Sequence, residues 1–161
     1  MNTLLDPNRI YFDHNSTTSM LPEVKEALIS MFEYKLNPSA VHSEGKFSKS
    51  IIEKARNSIL GDLGASISTY QLVFTSCATE ANNLALTGLE GYRVFTTTIE
   101  HPSVFNVVKE GVVPVTKNGV IDLDALEQVC YFNKDNQFLV SIMAANNEIG
   151  TIQPIKEAAA I

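Results

Sequence analysis

With only two cysteines in 161 residues, Cys77 and Cys130, the chain has too few thiols for a disulfide scaffold. Those thiols do not stand at metal-ligand spacing from the three histidines, His14, His42 and His101, so no metal site is expected. Positive charge is scarce as well: 12 Lys and Arg against 18 Asp and Glu give a formal net charge of -6, with both signs scattered. That balance argues against a surface that tracks nucleic-acid phosphates. No segment approaches the roughly 20 apolar residues of a membrane-spanning helix, and Met1 to Ile10 hold no apolar run behind a basic stretch. The expectation is a protein without membrane or nucleic-acid partners that stays in a reducing cytoplasm. Neither Gly-x-Gly-x-x-Gly nor Gly-x-x-x-x-Gly-Lys occurs, which weighs against a free-standing nucleotide-binding domain.

What is present is a 45% hydrophobic chain, enough for one ordinary domain with a core but not for a two-domain enzyme. Val24, Ala27, Leu28, Met31 and Phe32 follow helical spacing behind Pro22, predicting an amphipathic helix over 22–35. After a loop at Asn37-Pro38-Ser39, a second helix is expected from Ser43 or Glu44 to about Leu63, with Ile52, Ala55, Ile59 and Leu63 on one face and Gly61 and Gly64 marking its end. Gln71–Thr75 reads as a strand. Ser76 then reads as the N-cap of a helix burying Ala81, Leu84, Ala85 and Leu89.

Strands are expected at Arg93–Thr97 and Val112–Val115, with a short helix after Pro102 between them and a turn at Lys117-Asn118-Gly119. Asp122 should cap a helix with Leu123, Leu126, Val129 and Cys130 inward. The fully apolar Phe138–Met143 reads as a central strand, and Pro154 as the start of a last helix. The alternation implies an α/β domain with a mostly parallel sheet.

Three segments could carry chemistry. Phe74 to Asn83 puts small and hydroxyl residues at a strand-to-helix junction, where unpaired N–H groups and the helix dipole favour an anion; the plainer alternative is a capped first turn. His101, between Glu100 and Pro102 at a strand end, faces either a ligand crevice or solvent as the cap of the next helix. Asn146-Asn147-Glu148 follow the most apolar strand, and such polar groups either orient a ligand or make a turn.

Taken together, these segments and Tyr11-Phe12-Asp13-His14-Asn15-Ser16-Thr17-Thr18, Asn37-Pro38-Ser39, His42 and Gly45 resemble the N-terminal portion of the cysteine desulfurases. These are class-V aminotransferase-like enzymes that depend on pyridoxal 5'-phosphate. The resemblance implies the large domain of a fold-type I transferase, with an N-terminal segment at 1–21 and an incomplete large domain at 22–161. It places Ala78 and Thr79 at the cofactor phosphate. It sets His101 over the pyridine ring, with a part in moving protons, and Asn147 against the cofactor near the substrate. His14 and His42 match no catalytic position.

Full-length members release sulfur from L-cysteine, giving alanine and an enzyme persulfide for sulfur transfer, as in iron–sulfur cluster assembly. The Schiff-base lysine, the pyridine-pairing aspartate and the persulfide cysteine match nothing up to Ile161. The resemblance therefore implies that this chain alone is inactive. It would be complemented by a second chain carrying the C-terminal half or joined in a homodimer; the alternative is a non-catalytic remnant or interaction protein. At position 77, where the family usually has glycine, Cys77 is expected to crowd the phosphate or strain a turn that wants positive φ. Both Cys77 and Cys130 are otherwise expected to be small buried hydrophobes.

Overall fold

A computed structural model describes residues 8–108 and 111–161, so most of the Met1 to Ile10 stretch and the first third of the 1–21 segment lie outside the described residues. The chain divides into two compact units, Met1–Phe74 and Thr75–Ile161.

In the first unit, Pro22 starts α1 (Pro22–Met31), which ends four residues earlier than the expected 22–35. Its stripe forms but is not covered: Val24, Leu28 and Phe32 are exposed. The second helix, α2 (Ser43–Asp62), has the expected bounds. Gly64 ends it at φ 68°, a left-handed backbone in which Ala65 N–H reaches Leu60 O at 2.8 Å. The buried positions on α2 are Gly45, Ser48 and Leu60, and not the expected Ala55, Ile59 and Leu63 face.

No strand forms at Gln71–Thr75. Apolar content favours a strand only where a neighbour completes the hydrogen-bond ladder, and none is supplied among the described residues. Leu72 O instead accepts from the Arg56 guanidinium, which lies 5.1 Å from the Phe74 ring centre.

The second unit opens with α3 (Ala78–Thr87) and builds a three-stranded parallel sheet from β1 (Arg93–Thr97), β2 (Gly111–Val113) and β3 (Phe138–Ser141), in the order β2-β1-β3. The short α4 (Pro102–Phe105) follows β1, α5 (Leu123–Asn133) precedes β3, and α6 (Ile155–Ala158) closes the chain. Thr97 pairs with Val113 and Val94 with Leu139.

Helices cover both faces. Leu86, Val94 and Val104 pack with Leu139 on one side, and Val113, Ile121 and Leu126 pack with Val140, Ile142 and Ala158 on the other. Asp122 caps α5 by accepting from Ala125 N–H at 3.1 Å, and Leu123, Val129 and Cys130 pack inward as expected.

Two expectations fail here. In the three-stranded sheet of the described residues the central strand is β1, while β3 lies at an edge. Its apolarity reflects two helix-covered faces, which an edge strand can also have. On α3 the buried residue is Leu86, and Leu84 and Leu89 are exposed, because contact with α4 and β1 selects a different stripe from the one chosen by spacing.

The turn at Lys117-Asn118-Gly119 forms, with Gly119 at φ 73°. The turn needs glycine for that left-handed conformation; a Cβ there would also meet Ile149 Cδ1 at 2.6 Å, the end of an exposed side chain that can swing away. Gln153, 5% exposed, holds the same turn by accepting from Ile121 N–H and donating to Gly119 O, both at 2.8 Å.

Candidate functional site

Parallel strands end on the same side, so the segments after β1 and β3 emerge together at the carboxyl end of the sheet. The first carries His101 and the second carries Asn147. Two hydrogen bonds of opposite direction tie them. Glu100, beside His101, accepts from Met143 N–H at 2.6 Å, and Asn146, beside Asn147, donates from Nδ2 to Ile99 O at 2.9 Å. Asn146 is 8% exposed, and its Oδ1 also accepts from Glu148 N–H and Ile149 N–H at 2.8 and 2.9 Å. Its side chain therefore folds the loop that presents the exposed Asn147.

Sequence reasoning assigned Glu100 no role, and it offered Asn146 as a ligand-orienting group or part of a turn, of which the turn is what the structure shows. Both stand within the quoted segments, but nothing in spacing says that their side chains bond across two strands.

Burial pushes the Glu100 carboxyl above its ordinary value, against the opposing bonds from Met143 N–H and Thr97 Oγ1. A carboxyl whose folded-state pKa is raised contributes stability that is complete below its unfolded pKa and lost as pH rises through the folded one. Stability should therefore fall as pH climbs through the range just above normal glutamate titration. Glu100→Gln keeps the acceptor for Met143 and should flatten that part of the profile. Glu100→Ala orphans the Met143 N–H and should cost about 1–3 kcal/mol near neutral pH. Urea unfolding across pH checks both, and identical pH profiles for wild type and Glu100→Gln would refute the assignment.

The third segment reaches the same end through α3. Asn82, one turn after Thr79, donates from Nδ2 to Ser103 Oγ at 2.8 Å, and Ser103 lies in α4, directly after His101 and Pro102. Ala78 and Thr79 occupy the first turn of α3 and are exposed. A first turn leaves N–H groups without intrahelical acceptors at the positive end of the dipole, which favours an anion.

The cap is Cys77 and not Ser76. Ser76 N–H and Oγ both donate to Glu80 at 2.6 Å, an arrangement close to a capping box, and these bonds hold the Glu80 carboxyl below its usual range. Thr79 supplies an exposed hydroxyl in that first turn, beside the Cys77 thiol.

Cys77 is exposed, with φ at -165°, an extended backbone that any residue adopts. The expected burial and the expected positive-φ strain are both absent. The backbone N–H of Glu80, the Ser76 hydroxyl, and the backbone N–H and hydroxyl of Thr79, which favour the thiolate, lower the Cys77 thiol pKa against a smaller opposing effect of burial. Cys130 is half-buried in the core, where burial raises its thiol pKa, as expected of a small hydrophobe.

His101 is the N-cap of α4: its Nδ1 accepts from Ser103 N–H at 3.1 Å and lies 2.8 Å from Ser103 Oγ. The plain capping reading is thus correct for one ring nitrogen, while the ring itself is exposed at the carboxyl end of the sheet. No group of metal-ligating side chains is found among the described residues, and no described helix is long and apolar enough to cross a membrane. A groove of about 610 Å³ in the first unit, lined by Ile51, Ile52, Ala55, Arg56 and the 71–74 segment, contains none of the candidate residues. Size alone does not mark the site.

The family model for aminotransferase class-V matches residues 10–161. Among curated relatives, cysteine desulfurase IscS 1 of Archaeoglobus fulgidus is 42% identical over 94% of this chain and 42% of its own length. Cysteine desulfurase IscS of Rickettsia bellii is 39% identical over 98% of this chain and 40% of its own length. Among solved structures, a NifS-like protein from Rickettsia africae superposes with a TM-score of 0.83 at 38% identity, covering 91% of this chain and 42% of that one. SspA in complex with cysteine superposes with a TM-score of 0.78 at 33% identity, covering 93% and 46%. The chain therefore spans about two fifths of the length of the curated relatives it matches.

Proposed function

The chain belongs to the class-V aminotransferase family, and from that premise we propose that it forms the N-terminal part of the large domain of a pyridoxal-phosphate-dependent cysteine desulfurase, working in the cytoplasm. The observation that carries the reading is the meeting of three segments at the carboxyl end of one parallel sheet, joined by the Asn82–Ser103 and Asn146–Ile99 hydrogen bonds. The residues present fit the cofactor. Ala78 and Thr79 offer N–H groups and a hydroxyl for its phosphate, His101 offers a ring face, and Asn147 an exposed carboxamide. When bound, pyridoxal phosphate supplies an electron sink for cleavage at the substrate amino acid.

The role of these 161 residues is to bind and orient that group. The groups that would complete the chemistry on L-cysteine are assigned to polypeptide outside them, whether continuous with this chain or on a second, different chain. Cysteine as the substrate class is supported by the names of the cysteine desulfurases and by the cysteine complex of SspA. Sulfur supply to iron–sulfur cluster assembly is the corresponding biological role.

Fluorescence titration of the chain with pyridoxal phosphate tests the reading. Binding is expected to be weak and non-covalent. Thr79→Ala and His101→Ala should each lose about 1 kcal/mol, the scale of one net hydrogen bond, or roughly fivefold in affinity. Cys77→Gly should change it little, because the backbone at 77 does not need the left-handed region. Affinity unmoved by Thr79→Ala and His101→Ala would place any bound cofactor elsewhere.

A further inference from the structure

The donors around His101 decide which of its ring nitrogens carries hydrogen. A backbone N–H can only donate, so at 3.1 Å from Ser103 N the His101 Nδ1 must accept. Asn82 Nδ2 donates to Ser103 Oγ at 2.8 Å, which fills an acceptor position on that oxygen and leaves the hydroxyl hydrogen for Nδ1, also at 2.8 Å. Two donors thus converge on Nδ1. The neutral ring then carries its hydrogen on Nε2.

We infer that Asn82 and Ser103 are positioning residues that lock His101 as the Nε2–H tautomer, so that its outer nitrogen offers a hydrogen-bond donor and not a base. To accept a proton at Nε2, the ring would need its hydrogen on Nδ1. That change would break the bond from Ser103 N–H, reverse the one with Ser103 Oγ, and undo the cap of α4.

The group that meets Nε2 is consequently an acceptor, such as a ring-substituent oxygen of the cofactor or a substrate carboxylate. Naming that acceptor rests on the proposed function; the tautomer does not. The expected part for His101 in moving protons narrows to that of a donor that orients an oxygen.

Long-range proton–nitrogen correlation spectra of the chain with labelled histidine, recorded where the rings are neutral, test the lock. The His101 signals are assigned by their loss in His101→Gln. Wild type should show an acceptor-type Nδ1 and a hydrogen-bearing Nε2. Ser103→Ala and Asn82→Ala keep the backbone N–H at 103 and remove only the second donor or its support, so both nitrogens should move part of the way toward averaged values, and Ser103→Thr should restore them. Averaged values in wild type, or hydrogen on Nδ1, overturn the inference whatever binds.

Pyridoxal-phosphate titrations form the second arm. Ser103→Ala should weaken binding several-fold in the wild-type background and not further in the His101→Gln background. An equal loss in both would make Ser103 a structural residue only. If wild type binds no cofactor, the proposed function falls, while the spectra still decide the tautomer.

Discussion

Replacing Leu126 by alanine is expected to destabilise the Thr75–Ile161 unit by about 2–5 kcal/mol, the range for a buried leucine whose surroundings relax only in part. Leu126 is 2% exposed and packs with Val113 at 0% and Ile121 at 2%, so α5, β2 and the 121 turn all lose contacts at once. A small domain holds only about 5–15 kcal/mol in total, which makes this loss a large share of what keeps the sheet together. Urea unfolding of wild type and Leu126→Ala checks it, with Leu126→Met as the volume-conserving control, expected to cost less than about 1.5 kcal/mol. A loss below about 1 kcal/mol in Leu126→Ala would mean that this core is not tightly packed.

Asn146→Ala is expected to cost about 2–3 kcal/mol, since it removes the acceptor of two loop N–H groups and the donor to Ile99 O in a residue 8% exposed. The effect should be local in character as well as in size. Amide hydrogen exchange at Glu148 and Ile149 should accelerate strongly, while β1 amides stay protected. Asn146→Asp separates the two halves of the role, because it keeps the acceptor for Glu148 and Ile149 and loses the donor to Ile99. Its loop amides should remain slow even though its bond to Ile99 is gone, the Glu100–Met143 tie being untouched. Fast exchange at Glu148 and Ile149 in Asn146→Asp would show that the bond to Ile99, and not the loop's own bonds, holds the turn.

Much of this architecture was legible in local chemistry. The Asp122 cap, the inward face of α5, Pro102 opening α4 and the turn at Gly119 each depend on residues within one turn of one another, and each was found where expected. The parallel character of the sheet followed from strand–helix alternation. Resemblance added the family, and the match over residues 10–161 agrees with it.

What the sequence could not reveal has one physical source: a side chain's pattern states what it can bury or bond, but not which neighbour arrives. Gln71–Thr75 has strand composition and no ladder partner among the described residues. Phe138–Ser141 has central-strand composition and an edge position. Ser76 has capping chemistry, yet its hydroxyl is taken by Glu80, which passes the cap to an extended Cys77. In the same way the sequence by itself determined that Thr79, His101 and Asn147 are available for polar chemistry. Only the tertiary structure decided that Asn82 and Ser103 fill one nitrogen of His101, and that Glu100 and Asn146 bond across β1 and β3. The His101–Ser103 contact is a local cap that the sequence reading offered, but the other partners stand 21 to 47 residues apart, at separations where spacing along the chain carries no information about distance in space.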